Sequence, residues 1–209
     1  FKTLVMSKYG SSSAEDEDFS FVKLDKFILA TRDSGYKSTV SAIAELVDNS
    51  IQADATEIHI NLSYVDPSKE IQIITCDNGK GMSPQELRQS MRFGGSTRFD
   101  SRDGMGRFGM GLPNASVSQC KRTEVRTWQD DRTFETYLDV EEISKGKYYQ
   151  VPLPLIVDNF IHPIVLKNSK SGTMVTWKNC DRLDNKRITT LEKKIQRGLG
   201  QQFRHFLWE

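Results

Sequence analysis

The chain has 209 residues, of which 37 % are hydrophobic and 27 % charged, which suits one large domain, or one domain plus a short appendage, with a sizeable core. A net charge of +1 gives no global electrostatic case for nucleic acid or a membrane surface. No apolar run is long enough to span a bilayer and no signal peptide is visible, so a cytoplasmic or nuclear protein without a membrane partner is expected.

Residues 7–18 (SKYGSSSAEDED) are small, polar and acidic, and residues 1–20 read as a flexible arm. From Phe27 to Ala53 the pattern is helical, with an apolar stripe of Val40, Ile43, Ala44, Leu46, Val47 and Ile51 interrupted by Glu45, Asp48, Asn49 and Gln52. Glu57–Leu62 alternates as a half-buried strand with Ile58, Ile60 and Leu62 inward, and Ile71–Cys76 should pair with it across a turn at Pro67-Ser68-Lys69. Ser83-Pro84-Gln85-Glu86 has the form of a capping box with proline at the first helical position, predicting a short helix edged by Leu87 and Met91. Six glycines between Gly94 and Gly111 predict a loop. Strands are expected at Thr123–Trp128, Thr133–Val140 and Thr173–Lys178, and a helix over 186–207 with Ile188, Leu191, Ile195, Leu199, Phe203 and Phe206 on one side. The same stretch carries Lys186, Arg187, Lys193, Lys194, Arg197 and Arg204, a local basic patch. This order of elements predicts an α+β fold, a mixed β-sheet with helices on one face in a two-layer sandwich. Cys76, Cys120 and Cys180 lack metal-ligand spacing and read as reduced thiols.

Three constellations carry chemistry. Glu45 and Asn49 lie four apart, so they share one helix face. Burying a carboxylate and a carboxamide there is costly without partners. A hard cation such as Mg²⁺ accepts an amide oxygen, and a nearby carboxylate can orient or deprotonate a water. A solvated polar face accounts for the same residues. Asp77-Asn78-Gly79-Lys80-Gly81-Met82 follows a strand; Asp77 could accept a hydrogen bond from an exocyclic amine such as adenine N6, and Met82 could face a planar ring. An ordinary turn has this composition too. Gly104-Met105-Gly106-Arg107-Phe108-Gly109-Met110-Gly111 leads into a run of small and apolar residues, so that its amides form an anion cradle at a helix start. Its context is wrong for a dinucleotide fingerprint, which should follow the first strand of a βαβ unit, and no Gly-Lys-Ser/Thr completes a Walker A loop.

Taken in order, Glu45/Asn49, Asp77-x-Gly79-x-Gly81, Gly106-x-x-Gly109-x-Gly111 and Gly172-Thr173 resemble the GHKL ATPase superfamily, with its Bergerat ATP-binding fold. That group includes DNA gyrase B, the MutL mismatch-repair proteins, the ninety-kilodalton heat-shock chaperones, the sensor histidine kinases and the MORC chromatin ATPases. The resemblance covers roughly residues 38–178 and implies that residues 21–185 form the ATP-binding domain, with 186–209 a terminal helix that could lead to a missing domain. It implies Mg²⁺ at Asn49 and a general-base role for Glu45. Nucleotide contacts would fall to Asn49, Asp77, Gly79, Gly81, Met82, Gly94, Gly104, Gly106, Arg107, Phe108, Gly109, Met110, Gly111 and Thr173, several of them in a lid closing over ATP. Asp48 fits the box with two readings, pairing with an arginine or helping the metal.

Ala42–Ser50 and Arg92–Ser96 look most like MORC-like and chaperone-like members, which dimerise with ATP. The expected function is therefore Mg-dependent ATP hydrolysis driving an ATP-dependent homodimer within a larger machine, with nucleic acid or client protein engaged through other domains. A histidine-type kinase domain and a non-hydrolysing ATP sensor are the alternatives. Against the kinase, none of His59, His162 and His205 precedes the ATP-binding boxes, and Glu45 favours hydrolysis.

Overall fold

The computed structural model describes residues 22–94, 110–130, 132–158 and 169–206. The expected N-terminal arm, most of the glycine-rich loop and His162 lie outside them. The helical pattern of Phe27–Ala53 resolves into two helices, α1 (Leu24–Ser34) and α2 (Thr39–Gln52), instead of one. The break has a local cause. Gly35 stops α1, and the Ser38 side chain caps α2 by accepting from the Ser41 amide.

The alternating segments form β1 (Ile58–Val65) and β2 (Glu70–Asp77), an antiparallel hairpin as the pattern predicted. Helix α3 (Pro84–Ser90) starts with the complete capping box of Ser83 and Glu86, and helix α4 (Gly111–Gln119) follows the glycine-rich stretch. Then come β3 (Arg122–Gln129), β4 (Arg132–Asp139), the short helix α5 (Val140–Ser144), β5 (Leu155–Ile156), β6 (Ser171–Lys178) and α6 (Ile188–Gln202). Neither α5 nor β5 was anticipated; both are shorter than any periodicity can mark.

The strand order is β1-β2-β6-β3-β4-β5, and every pairing among the described residues is antiparallel. The expected α+β layering is present, but the mixed sheet is corrected to an antiparallel one. Strands β2 and β3 do run in the same direction, yet β6 inserts between them and is antiparallel to both, so no parallel ladder forms.

Helix-facing residues of the sheet, Ile71, Ile73, Val125, Leu138, Val175 and Trp177, meet Ile43, Leu46 and Val47 of α2 and Leu191 and Ile195 of α6 in one core. Each such aliphatic side chain contributes on the order of 2 kcal/mol by leaving water. The terminal helix therefore packs on its own domain, although Phe206 stays 65 % exposed. No helix among the described residues is long and apolar enough to cross a membrane. Burial pushes the Cys76 and Cys180 thiols up to about 12, which keeps them protonated and inert.

Candidate active site

At one end of the sheet the register aligns Asp77 of β2 with Thr173 of β6, and Thr173 with Thr127 of β3, all on the helix-facing side. Asp77 is only 6 % exposed. Its carboxylate accepts from the Gly79 amide at 2.9 Å and from Ser50 Oγ, on α2, at 2.9 Å. Burial raises the Asp77 pKa, and the bonds from Gly79, Ser50 and Thr173 oppose that shift. A carboxylate with two oxygens retains acceptor capacity beyond those bonds.

The loop after β2 is pinned on both sides. The Lys80 amide donates to Ala53 O at 2.9 Å, the Met82 amide to Thr127 Oγ1 at 2.8 Å, and Ser171 Oγ to Gly79 O at 2.7 Å. Gly81 sits at φ +65°, where a Cβ would lie 2.4 Å from Trp128 O. Both the backbone conformation and the close approach require glycine here. Met82 is half-buried against the core. The structure thus gathers Asp77, Gly79, Gly81, Met82 and Thr173 in one place, with Ser50 and Thr127 joining them. Sequence reasoning gave those last two no role, although Ser50 next to Asn49 is a polar residue on a core-facing stripe and was a usable signal.

Five residues earlier on α2, about 7.5 Å of helix rise, is Glu45. Its Oε2 accepts from the Tyr36 hydroxyl at 2.8 Å, and its Oε1 lies against the backbone of Gly111, 1.8 Å from where a Cβ would stand. Gly111 opens α4, whose N-cap Met110 supplies no side-chain cap. Pro113 has no N–H and the Asn114 amide donates to Met110 O, so Gly111 and Leu112 carry the first-turn amides that have no partner among the described residues and could meet an anion. Between Glu45 and Ser50, Asp48 and Asn49 are half-buried. Asp48 makes no ion pair among the described residues; burial and the neighbouring Glu45 charge push its carboxyl up to about 6. Asn49 Nδ2 is buried without a hydrogen-bond partner among them. The orphaned Nδ2 is a hydrogen-bond donor suited to an anionic oxygen such as a phosphate's, while the Asn49 Oδ1 and the Asp48 carboxylate are oxygen ligands of the kind a hard divalent cation takes.

Gly94 is exposed at φ +77°, with no described atom within 4 Å of a Cβ built on it, and Met110, 38 % exposed, directly precedes Gly111 at the start of α4. Gly104, Gly106, Arg107, Phe108 and Gly109 lie outside the described residues.

A family model described as "Histidine kinase-, DNA gyrase B-, and HSP90-like ATPase" matches residues 36–173, which run from Tyr36 to the threonine paired with Asp77. The chain belongs to this ATPase family. Human "ATPase MORC2" is 30 % identical over 139 residues, covering 60 % of this chain and 13 % of that protein. "ATPase morc-1" of Caenorhabditis elegans is 38 % identical over 77 residues, covering 37 % of this chain and 9 % of its own length. "Protein MICRORCHIDIA 4" of Arabidopsis thaliana is 26 % identical over 102 residues, covering 47 % of this chain and 13 % of the relative. The chain is a GHKL-type, MORC-like ATPase domain, and it spans only 9 to 13 % of the length of these relatives.

Proposed function

We propose that this domain binds Mg-ATP and hydrolyses it, with turnover gating dimerisation of a larger machine that acts on nucleic acid or a client protein. The observation that carries this reading is that one helix serves both ends of the site. Helix α2 sends Ser50 to the Asp77 carboxylate and Glu45 to the start of α4.

Asp77 accepts a hydrogen bond from the adenine amino group, with Gly81 and Met82 beside the ring and the Thr173 hydroxyl at its edge. The triphosphate runs along α2 towards the start of α4, where the Gly111 and Leu112 N–H groups and the helix dipole favour negative charge. Asn49 is the protein ligand for Mg²⁺, with Asp48 close by. Bound there, the cation neutralises charge on the phosphate oxygens. Glu45 takes a proton from a water as the water oxygen bonds to the γ-phosphorus; the bond from that phosphorus to the β–γ bridging oxygen breaks, and ADP and phosphate leave.

Dimerisation is supported by apolar surface that is exposed among the described residues beside α1 and β5. Tyr149, Leu153, Leu155 and Ile156 are 65 to 75 % exposed, next to a groove of about 1000 Å³ lined in part by Val22, Phe27, Phe93 and Leu153. A second copy of this chain is the proposed occupant.

ATP turnover and light-scattering mass, with ADP and with a non-hydrolysable analogue, test the reading on wild type and Glu45→Ala. Turnover lost in the variant with ATP binding kept, and mass doubled only by the analogue, is the expected result. Turnover unchanged in Glu45→Ala removes the hydrolytic assignment, and a monomer under all conditions removes the dimer.

A further inference from the structure

The Glu45 carboxylate is held from two sides, by a glycine of the ATP-binding motifs and by a tyrosine outside them. On one side its Oε1 fills the space above Gly111. On the other, Tyr36 donates its hydroxyl to Oε2 at 2.8 Å. Tyr36 stands in the turn between α1 and α2, nine residues before Glu45, with its ring partly buried against the main core. The turn is itself fixed. Tyr36 O accepts from Gln119 Nε2 at 3.1 Å, Gln119 Oε1 accepts from Thr39 Oγ1 at 2.9 Å, and Thr39 Oγ1 accepts from the Asp184 amide at 3.2 Å. Gln119 and Thr39 are 1 % and 0 % exposed, so these bonds exchange little with water. Gln119 ends α4, the same helix that Gly111 begins. The phenol and the carboxylate are thus referenced to one rigid element.

We propose that Tyr36 is a positioning residue for hydrolysis, fixing the Glu45 carboxylate so that a single orientation faces the attacking water; this rests on the proposed role of Glu45 as general base. Burial and the adjacent Glu45 charge raise the Tyr36 pKa, so at neutral pH the phenol is a donor and never competes for the water's proton. Oε2 carries the Tyr36 bond, and Oε1 beside Gly111, which accepts no hydrogen bond among the described residues, is the oxygen this orientation presents to the water.

The test is single-turnover ATP hydrolysis and ATP affinity for wild type, Tyr36→Phe, Glu45→Ala and the double variant, with thermal melts of each. Tyr36→Phe keeps the ring and removes only the hydroxyl. The expected result is a loss of about ten-fold in rate, ATP affinity within about two-fold, and a small change in melting temperature. In the Glu45→Ala background the same substitution should have no further effect on the residual rate, because the hydroxyl acts only through that carboxylate. A Tyr36→Phe rate close to wild type, with Glu45→Ala inactive, overturns the inference and leaves the hydrolytic reading standing. An equal loss in both backgrounds also overturns it, since the hydroxyl would then act by another route. Full turnover in Glu45→Ala removes the general-base assignment and the inference with it.

Discussion

Gly111→Ala is the sharpest perturbation of Glu45, the proposed base. The new methyl carbon would stand 1.8 Å from Glu45 Oε1 and 2.6 Å from its Cδ, distances no pair of atoms tolerates. The obstacle is the far end of a flexible side chain, so the carboxylate moves and the backbone stays. Gly111 is not among the glycines with positive φ and occupies the first position of α4, where alanine is at least as good a helix former. Stability should therefore hold or rise by up to about 1 kcal/mol, a shift of only a few degrees for a domain of this size. A carboxylate displaced by ~1 Å from its productive geometry costs about 100-fold in rate, within the range that general-base catalysis supplies. Thermal melts, ATP binding by titration calorimetry and steady-state turnover separate these effects. A folded Gly111→Ala protein that binds ATP and turns over at the wild-type rate would refute the placement of Glu45 as the hydrolytic base.

Gly81→Ala should behave in the opposite way, because its Cβ would strike backbone, Trp128 O at 2.4 Å, at a φ of +65°. A loss of about 3 kcal/mol is expected in urea unfolding, with nucleotide binding impaired even where the protein folds. Gln119→Leu leaves the Thr39 hydroxyl and the Tyr36 carbonyl without their buried partner, and should cost about 2–4 kcal/mol by the same assay. Glu124, 7 % exposed on the outer face of the sheet, is raised by burial but lowered more by Lys178 at 2.7 Å and Arg122 at 2.9 Å, so its folded pKa is depressed. Its stabilisation is then present above the ordinary glutamate value of about 4.3 and is lost as pH falls through the lower folded value. Glu124→Gln should cost about 2 kcal/mol at pH 7, and the gap to wild type should close during acid titration; a gap independent of pH would rule out the ion pairs as its source.

Much of this molecule is written locally. Alternation in Ile58, Ile60 and Leu62 predicts β1, Ser83 and Glu86 predict the start of α3, and Glu45, Asn49 and Asp77 are legible as candidates because their types are costly in such elements, whereas Thr173, an ordinary strand residue, is a candidate only through the family resemblance. The break at Gly35 carried local signals too, a glycine followed by a Ser38 cap, but reading Phe27–Ala53 as one helical pattern masked them.

What the sequence could not supply is the pairing between distant segments. Strand β6 enters between β2 and β3 although the chain makes it last, and that insertion alone puts Thr173 opposite Asp77 and makes the sheet antiparallel throughout. Tyr36 gave no sign of acting on Glu45, and Gly111 none of lying beneath it, because each depends on how α4 lies against α2. Periodicity and capping are set by neighbours a few residues apart, and a sequence shows those directly. The orientation of the Glu45 carboxylate comes from side-chain packing between elements tens of residues apart, which exists only once the core has closed.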